Sequence, residues 1–151
     1  YFGTDGIKPF VDFIDKGIFI VCKSSNKSGG EIQDFFSEKS NMTMYQNIAQ
    51  ISDQLNNNDN VCLVMGATYP GELKTIREKH PKLPFLIPGL GHQNGDLAEV
   101  IDNAIIENIP NILINSSRGI IYASDDPNKF AEMARIKVQE INTQTKALYS
   151  F

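Results

Sequence analysis

The stretch FLIPGLGHQNGDLAEVIDNA, residues 85–104, contains the pattern that decides the fold. It opens with a short apolar run, passes through a loop with three glycines, and ends in a segment with apolar residues at helical spacing. Asp96, followed three residues later by Glu99, is typical of the start of a helix. The stretch therefore predicts one strand–loop–helix unit whose strand is buried on both faces, as in a parallel sheet.

Three more apolar runs, at residues 18–22, 61–65 and 112–114, predict further strands of the same kind. Helical spacing follows each strand, with Met44, Ile48, Ile51 and Leu55 after the first, Pro70 opening a helix after the second, and a last helix beginning near Pro127. An additional helix with Pro9, Phe10, Phe13 and Ile14 opens the chain. The pattern predicts an α/β fold with four consecutive strand–helix units. Residues 26–42 form the one long polar connection, which we expect to be a mobile loop over a site.

Composition limits the class of protein. The 151 residues suffice for one domain, and 14 basic against 18 acidic residues give a net charge of −4, which argues against a nucleic-acid partner. No apolar run approaches the roughly 18 residues that cross a bilayer, so we expect no membrane partner. Cys22 and Cys62 are isolated and predict buried, reduced thiols in a cytoplasmic protein. His80 and His92 have no companion at ligand spacing, so we expect no metal site.

The loops that follow the four strands are the expected ligand-binding region, because parallel α/β folds bind ligands beyond the carboxyl ends of their strands. The loop at residues 88–96 has glycines that let backbone N–H groups approach an anion at a helix start. The loop at residues 115–119 contributes Arg118, whose guanidinium can grip a phosphate through two hydrogen bonds. If these are the last two strands of a (β/α)8 barrel, the phosphate would lie where such barrels commonly hold it.

Simpler interpretations exist for each of these features. The glycine-rich loop could be only a tight turn, Arg118 could be solvated or salt-bridged, and residues 24–26 could only cap or turn the chain. The spacing of Gly89, Gly91 and Gly95 differs from the dinucleotide-binding pattern, so a nicotinamide site is not expected. No pair of carboxylates follows the strands, and the residues present could hold a phosphorylated ligand without forming a catalytic group.

Taken in order, five motifs resemble the orotidine 5'-monophosphate decarboxylase family, most closely its longer form. The resemblance covers nearly the whole chain, and five motifs in order are far more specific than any one of them. They are Gly3-x-Asp5 with Lys8-Pro9-Phe10, Cys22-Lys23-Ser24-Ser25-Asn26, Gly66-Ala67-Thr68, Leu86-Ile87-Pro88-Gly89-x-Gly91-x-Gln93-x-Gly95-Asp96, and Asn115-Ser116-Ser117-Arg118-x-Ile120-x-Tyr122-Ala123.

The resemblance implies a TIM-barrel lyase without metal or organic cofactor that forms uridine 5'-monophosphate in pyrimidine biosynthesis. It implies that Gln93 and Arg118 bind the 5'-phosphate, with backbone N–H groups near Gly91 and Gly119. Ser25 would hydrogen-bond the pyrimidine edge, with Ser24 and Asn26 nearby and Pro88 shaping the pocket. It further implies a homodimer of the complete protein, with sites completed across the interface.

The sequence departs from the family in its catalytic residues. The family uses an alternating Lys-Asp-Lys-x-x-Asp network, and nothing in residues 1–151 matches it. We expect that network upstream of Tyr1, so that residues 1–151 form the C-terminal half of one barrel domain and need their own N-terminal half. Lys23 belongs to a different motif and receives no catalytic role, and His92 stands where the family often has a small residue.

One expectation follows from this interpretation, and two alternatives stand beside it. The segment alone should be inactive and poorly soluble, since four strands would leave open edges and an uncovered face. A noncatalytic nucleotide- or phosphate-binding α/β domain is one alternative. Another phosphate-dependent barrel enzyme, such as an aldolase or an epimerase, is the other.

Overall fold

Four apolar runs form one parallel sheet, as their composition predicts. The computed structural model describes residues 1–91, 95–107 and 109–149. Its main strands are β1 (Ile18–Lys23), β4 (Val61–Met65), β5 (Phe85–Pro88) and β6 (Ile112–Asn115), and their order in the sheet is β1-β4-β5-β6. All three strand pairs are parallel. The predicted α/β class and the order of the strand–helix units are confirmed.

One helix precedes the first strand, and the others lie between the strands or after the last one. They are α1 (Thr4–Val11), α2 (Gly30–Gln33), α3 (Met44–Leu55), α4 (Pro70–Lys79), α5 (Leu97–Ala104), α6 (Ser117–Ile121) and α7 (Phe130–Leu148). Pro70 lies in the first turn of α4, where its missing N–H has no helical partner to lose. The Asp96 carboxylate accepts a hydrogen bond from the Glu99 backbone N–H and caps α5, as the sequence predicts. None of the described helices is long and apolar enough to span a membrane.

The core lies between the sheet and the helices on one of its faces. Alternate residues of the central strands β4 and β5 point into this layer and pack against α3, α4 and α5, where they are almost completely buried. The largest cluster includes Cys22, Ile48, Ala49, Leu63, Met65, Leu73, Ile76, Leu83, Phe85, Ile87, Val100 and Ala104. Both cysteines are free and buried, in agreement with the prediction.

The other face of the sheet is partly bare, and we call it the open face. Strand register places Phe19, Val21, Val64, Leu86 and Leu113 on it, because paired residues in a sheet point to the same side. Phe19 is 45% exposed and Leu113 is 55% exposed. Apolar strand residues with this much exposure are typical of a surface that is meant to be covered.

Arg77 joins four segments behind the sheet. Its side chain is 1% exposed, and its guanidinium lies 3.7 Å from the centre of the Phe85 ring. The guanidinium donates hydrogen bonds of 2.6 to 3.1 Å to four backbone carbonyls, those of Pro81, Leu83, Ala104 and Asn111. Burial lowers the pKa of Arg77 to about 10, so that the group remains charged at neutral pH.

The long connection and the opening helix differ in detail from the sequence-based expectation. Residues 26–42, the long polar connection, contain a short 3₁₀ helix (Lys27–Gly29), α2, and the small antiparallel pair β2 (Phe36–Ser37) and β3 (Met42–Thr43), which the sequence did not predict. These elements are too short to leave an apolar period in the sequence. The opening helix ends at Val11, so Phe13 and Ile14, which were predicted in it, follow it and are exposed. Within the helix, Ile7 and Val11 are buried and Phe10 is exposed.

The last helix begins later than predicted. A turn at Asp126 precedes it, in which the Asp126 carboxylate accepts a hydrogen bond from the Asn128 backbone N–H. Helix α7 therefore starts at Phe130 and not near Pro127. It contains no buried residue, although its spacing of apolar residues predicts a core face.

Candidate functional site

Backbone hydrogen bonds tie together the loops at the carboxyl edge of the sheet. The Gly66 N–H donates to the Lys23 carbonyl at 2.7 Å, and the Ala67 N–H donates to the Pro88 carbonyl at 2.8 Å. These bonds join the loop after β1 to the loop after β4, and the loop after β4 to the loop after β5. Three of the four predicted ligand-binding loops are thus joined along one edge.

A cavity of about 180 Å³ separates the loops after β5 and β6. The described residues that line it come from the ends of β5 and β6 and the loops after them, and they are Pro88, Gly89, Leu90, Asn115, Ser116, Ser117, Arg118 and Gly119. The structure therefore brings the predicted partners Pro88, Arg118 and Gly119 to one cavity. The cavity is lined by backbone, hydroxyl, amide and guanidinium groups, and these are the groups that bind phosphate oxygens.

Arg118 supplies positive charge to this cavity. It lies in the first turn of α6, and its side chain is exposed. Within residues 1–91, 95–107 and 109–149, no carboxylate forms an ion pair with it. The interpretation of Arg118 as a salt-bridged surface residue therefore finds no partner in the described part of the chain.

The glycine-rich loop has a backbone conformation that residues with a side chain rarely adopt. Gly89 and Gly91 have φ angles of +103° and +74°, a region that favours glycine. A Cβ atom at Gly95 would lie 2.6 Å from the Ala67 Cβ and 2.8 Å from the Gly89 carbonyl oxygen. Close approach of two loops therefore requires glycine at position 95. The predicted phosphate ligand Gln93 and its neighbour His92 lie outside the described residues.

Gly119 lies close to the side chain of Ser116 at the start of α6. A Cβ atom there would lie 2.7 Å from the Ser116 Oγ, and Ser116 is itself buried. The two residues line the cavity side by side. The backbone N–H of Gly119 therefore lies at the cavity, which is consistent with the phosphate-binding role that the resemblance implies.

Ser25 lies one loop away and is linked to the cavity through Pro88. The Ser25 Oγ donates a hydrogen bond of 2.9 Å to the Pro88 carbonyl, and Pro88 lines the cavity beside Arg118. The backbone carbonyl of Ser25 accepts a bond of 3.3 Å from the Thr68 hydroxyl. The candidate pyrimidine residue and the candidate phosphate residues are therefore joined along the same edge.

Ser24 and Asn26 make mainly local contacts. The Ser24 Oγ donates to the Asn26 Oδ1 at 2.6 Å and accepts a bond of 2.8 Å from the Gln33 Nε2. The Asn26 Nδ2 donates to the Ser28 Oγ at 3.1 Å. Their side chains stabilise the turn, which is the simpler role that the sequence also allows.

Lys23 has no access to the site, although it ends β1. Its side chain is 0% exposed, and its ammonium forms an ion pair with the Asp34 carboxylate. The adjacent Cys22 thiol donates to the Tyr45 carbonyl at 3.1 Å, and burial raises its pKa to about 12. Neither group is available as a catalyst at this edge.

Some lining residues received no role from the sequence. Asn115, Ser116 and Ser117 line the cavity, and Thr68 supports Ser25. Their position directly after a buried strand is the signal that could have identified them. Small polar residues are also common in turns, so this signal alone does not separate ligand contact from turn formation.

Comparison with known proteins gives one consistent family. A model of the orotidine 5'-phosphate decarboxylase / HUMPS family matches residues 1–134. The chain is 40% identical over 133 residues to an orotidine 5'-phosphate decarboxylase of Halorubrum lacusprofundi, covering 85% of this chain and 48% of that protein. The chain spans about half the length of the curated relatives that it matches first.

Solved structures agree with the sequence matches. A UMP synthase of Leishmania donovani superposes with a TM-score of 0.79 at 35% identity, covering 96% of this chain and 32% of that one. An OMP decarboxylase of the same organism superposes with a TM-score of 0.76 at 33% identity, covering 93% of this chain and 53% of that one.

Proposed function

The chain belongs to the orotidine 5'-phosphate decarboxylase / HUMPS family, and we propose that the protein containing it converts orotidine 5'-monophosphate to uridine 5'-monophosphate and carbon dioxide. The family membership predicted from the five motifs is confirmed by the match over residues 1–134. The fold prediction is also confirmed, because the four parallel strand–helix units have the fold of the decarboxylase barrels among the solved structures.

We propose that residues 1–151 supply the last four strand–helix units of an eight-unit barrel. Two observations support this assignment. The open face is apolar and partly exposed, as the inner face of half a barrel would be, and α7 contains no buried residue. The catalytic Lys and Asp residues of the family would then come from the other half, upstream of Tyr1.

The cavity between the loops after β5 and β6 is the observation that carries the functional proposal. Arg118, whose side chain is exposed, lines it together with Gly119 and with Gly89 and Leu90 of the glycine-rich loop. These groups would bind the 5'-phosphate, together with the Gln93 amide and the backbone near Gly91. A phosphate dianion at this place matches the usual phosphate site of (β/α)8 barrels.

The remaining groups would orient the pyrimidine. Ser25 would hydrogen-bond the base, Pro88 would shape the pocket between base and phosphate, and Ser24 and Asn26 would keep the turn in place. None of these residues touches the bond that breaks. Their binding energy would still act at the transition state, because a substrate held at both ends has its reacting carbon positioned for catalysis.

In the reaction itself, the bond between C6 and the carboxylate breaks, carbon dioxide leaves, and C6 takes up a proton. By the family resemblance, that proton comes from a lysine outside residues 1–151, and no metal or organic cofactor takes part. The contribution of this chain is then to bind and orient the nucleotide.

Assembly and location complete the proposal. A homodimer of the complete protein, with sites completed across the interface, follows from the family. Two free, buried cysteines are compatible with the reducing cytoplasm. The net charge of −4 favours neither a nucleic-acid nor an anionic membrane partner.

Turnover by the complete protein tests the function. We expect loss of orotidine 5'-monophosphate and formation of uridine 5'-monophosphate, and tighter binding of 6-substituted uridine monophosphates than of sugar phosphates. An aldolase or epimerase would turn over a phosphorylated sugar and leave the nucleotide unchanged. A noncatalytic domain would bind the nucleotide without turnover, and either result would overturn the proposal.

A further inference from the structure

Lys23 is a buried charged residue that has no role in the proposed binding or decarboxylation of the nucleotide. Its side chain is 0% exposed, which is rare for lysine because a buried ammonium must be compensated. Three groups surround it. The Asp34 carboxylate forms an ion pair with it, and the rings of Tyr69 and Tyr45 have their centres 4.6 and 5.4 Å from its Nζ.

A register shift in β1 puts Lys23 into this environment. Val21 pairs with Val64, and Lys23 pairs with Met65, so that Cys22 is an extra residue in the strand. Without the shift, strand alternation would place Lys23 on the same side as Val21, on the open face. With it, Lys23 lies on the side of Met65, which is completely buried under the helices. An extra residue of this kind is a known means of turning a side chain to the other face.

Two of the three partners of Lys23, Asp34 and Tyr69, come from segments that bond to residues 24–26. Asp34 directly follows α2, which supplies Gln33, and the Gln33 amide both accepts from the Ser24 N–H at 3.1 Å and donates to the Ser24 Oγ at 2.8 Å. Tyr69 precedes α4, and its hydroxyl donates to the Asn26 carbonyl at 3.3 Å. The ammonium is therefore the common anchor of the segments on both sides of the loop that carries Ser25.

We propose that Lys23 is a positioning residue, whose ammonium fixes the loop at residues 24–26 so that Ser25 meets the base of the nucleotide. The inference rests on the proposed function for the identity of the ligand. It assigns no contact between Lys23 and substrate. Loss of the ammonium leaves Asp34 and the two rings without their common partner and releases α2 from the end of β1.

Two ligands separate this role from a general effect on packing. In the complete protein, we expect Lys23→Met to weaken binding of uridine 5'-monophosphate by about ten- to a hundredfold, the size of effect that misplacing a binding group can have. Ribose 5-phosphate, which has no base, should bind with less than about a twofold change by the same reasoning. Lys39→Met, at an exposed lysine of the same segment, is the matched control and should change neither.

Hydrogen exchange gives a readout that does not depend on the ligand. Amides of residues 24–34 should exchange faster in Lys23→Met than in the parent protein and in Lys39→Met. If Lys23→Met fails to fold, Asp34→Asn takes its place, because Asp34 is half-exposed and its change keeps the ammonium. It should show the same split between the two ligands, with a smaller effect.

The outcomes distinguish the two proposals. Unchanged affinity for uridine 5'-monophosphate in the variants, or equal weakening of both ligands, would overturn the role of Lys23 and leave the decarboxylase proposal intact. If the parent protein itself does not prefer the nucleotide over ribose 5-phosphate, the proposed function fails. In that case the rate of amide hydrogen exchange at residues 24–34, compared between Lys23→Met and the parent protein, decides whether Lys23 holds the loop.

Discussion

Arg77 and Arg118 carry the same guanidinium group, and their surroundings give it two different roles. Arg77 is buried, stacks on Phe85, and gives its N–H groups to backbone carbonyls of the fold. Arg118 is exposed beside a cavity and has no carboxylate partner among the described residues. A guanidinium whose donors are free can be used by a ligand, whereas one that gives four hydrogen bonds to the backbone, as Arg77 does, serves stability.

Replacing Arg118 tests the phosphate site directly. In the complete protein, Arg118→Ala should lower kcat/KM for orotidine 5'-monophosphate, because it removes one partner of a charge pair. The expected loss of transition-state stabilisation is about 2 to 5 kcal/mol. Steady-state kinetics measures the effect. Arg135→Ala, at an exposed arginine of α7, is the matched control. An unchanged kcat/KM would exclude Arg118 from the phosphate site.

Replacing Arg77 should act on stability instead. Arg77→Met keeps the apolar part of the side chain but leaves four carbonyls without their donor, and should lower the free energy of unfolding by about 3 kcal/mol or more. Urea denaturation of the complete protein measures the change. Ligand affinity in the fraction that folds should stay near that of the parent protein. A stability equal to that of the parent would show that water replaces the guanidinium at these carbonyls.

Among the secondary-structure elements, the sequence predicts best those that are long enough to show periodic spacing of apolar residues. The four strands and the helices α3, α4 and α5 extend over several turns or pairs, so their apolar spacing is visible in the chain itself. The pairing of β2 with β3 depends on two residues a side, too few for a period. The shift in β1 is also invisible in its unbroken apolar run, and so the burial of Lys23 could not be predicted.

In the candidate site too, some features could be predicted from the sequence and others could not. The loops after the strands were identifiable from their order, and the cavity lined by Pro88, Arg118 and Gly119 joins two of them as expected. The contact between Ser25 and Pro88 joins positions that are far apart in the chain. Such contacts depend on the packing of whole units, which no local pattern records.

Close packing of two loops predicts the effect of a change at Gly95. Gly95→Ala would put a methyl group 2.6 Å from the Ala67 Cβ, so the glycine-rich loop must move away from the loop after β4. We expect affinity for uridine 5'-monophosphate to fall by about tenfold or more, as measured by calorimetry on the complete protein.

Gly71→Ala is the matched control for this change. A Cβ atom at Gly71 meets nothing within 4 Å and lies in a helix, so the same substitution should leave affinity unchanged and raise stability by up to about 1 kcal/mol. If Gly95→Ala behaves like Gly71→Ala, the two loops are not held together as tightly as the structure indicates.

For the whole molecule, the open face is the dominant feature. Strand residues on it are apolar and partly exposed, while the opposite side of the sheet is densely packed. Half of a barrel would have this asymmetry, because its inner face packs against strands of the other half. The chain spans about half of its first curated relatives, which agrees with that assignment.

The 151-residue chain alone should therefore be inactive and bind apolar dyes. We expect no decarboxylation, since the catalytic Lys and Asp residues lie outside it under our proposal, and strong anilinonaphthalene sulfonate fluorescence from the open face. Joint replacement of Phe19 and Leu113 by Ser should reduce the fluorescence. Phe130→Ser, at an exposed position on α7, serves as the control. Turnover by the chain alone would contradict the half-barrel assignment.

The carbonyl oxygen of Pro88 has a consequence for how a base can be read. It accepts from both the Ala67 N–H and the Ser25 hydroxyl, so the single proton of that hydroxyl is already committed. Towards a ligand, the Ser25 Oγ can therefore act only as an acceptor: it can accept a hydrogen bond from an N–H but cannot donate one to a carbonyl. A uracil-type ring would have to turn its imide N–H, and not one of its two oxygens, towards this serine side chain.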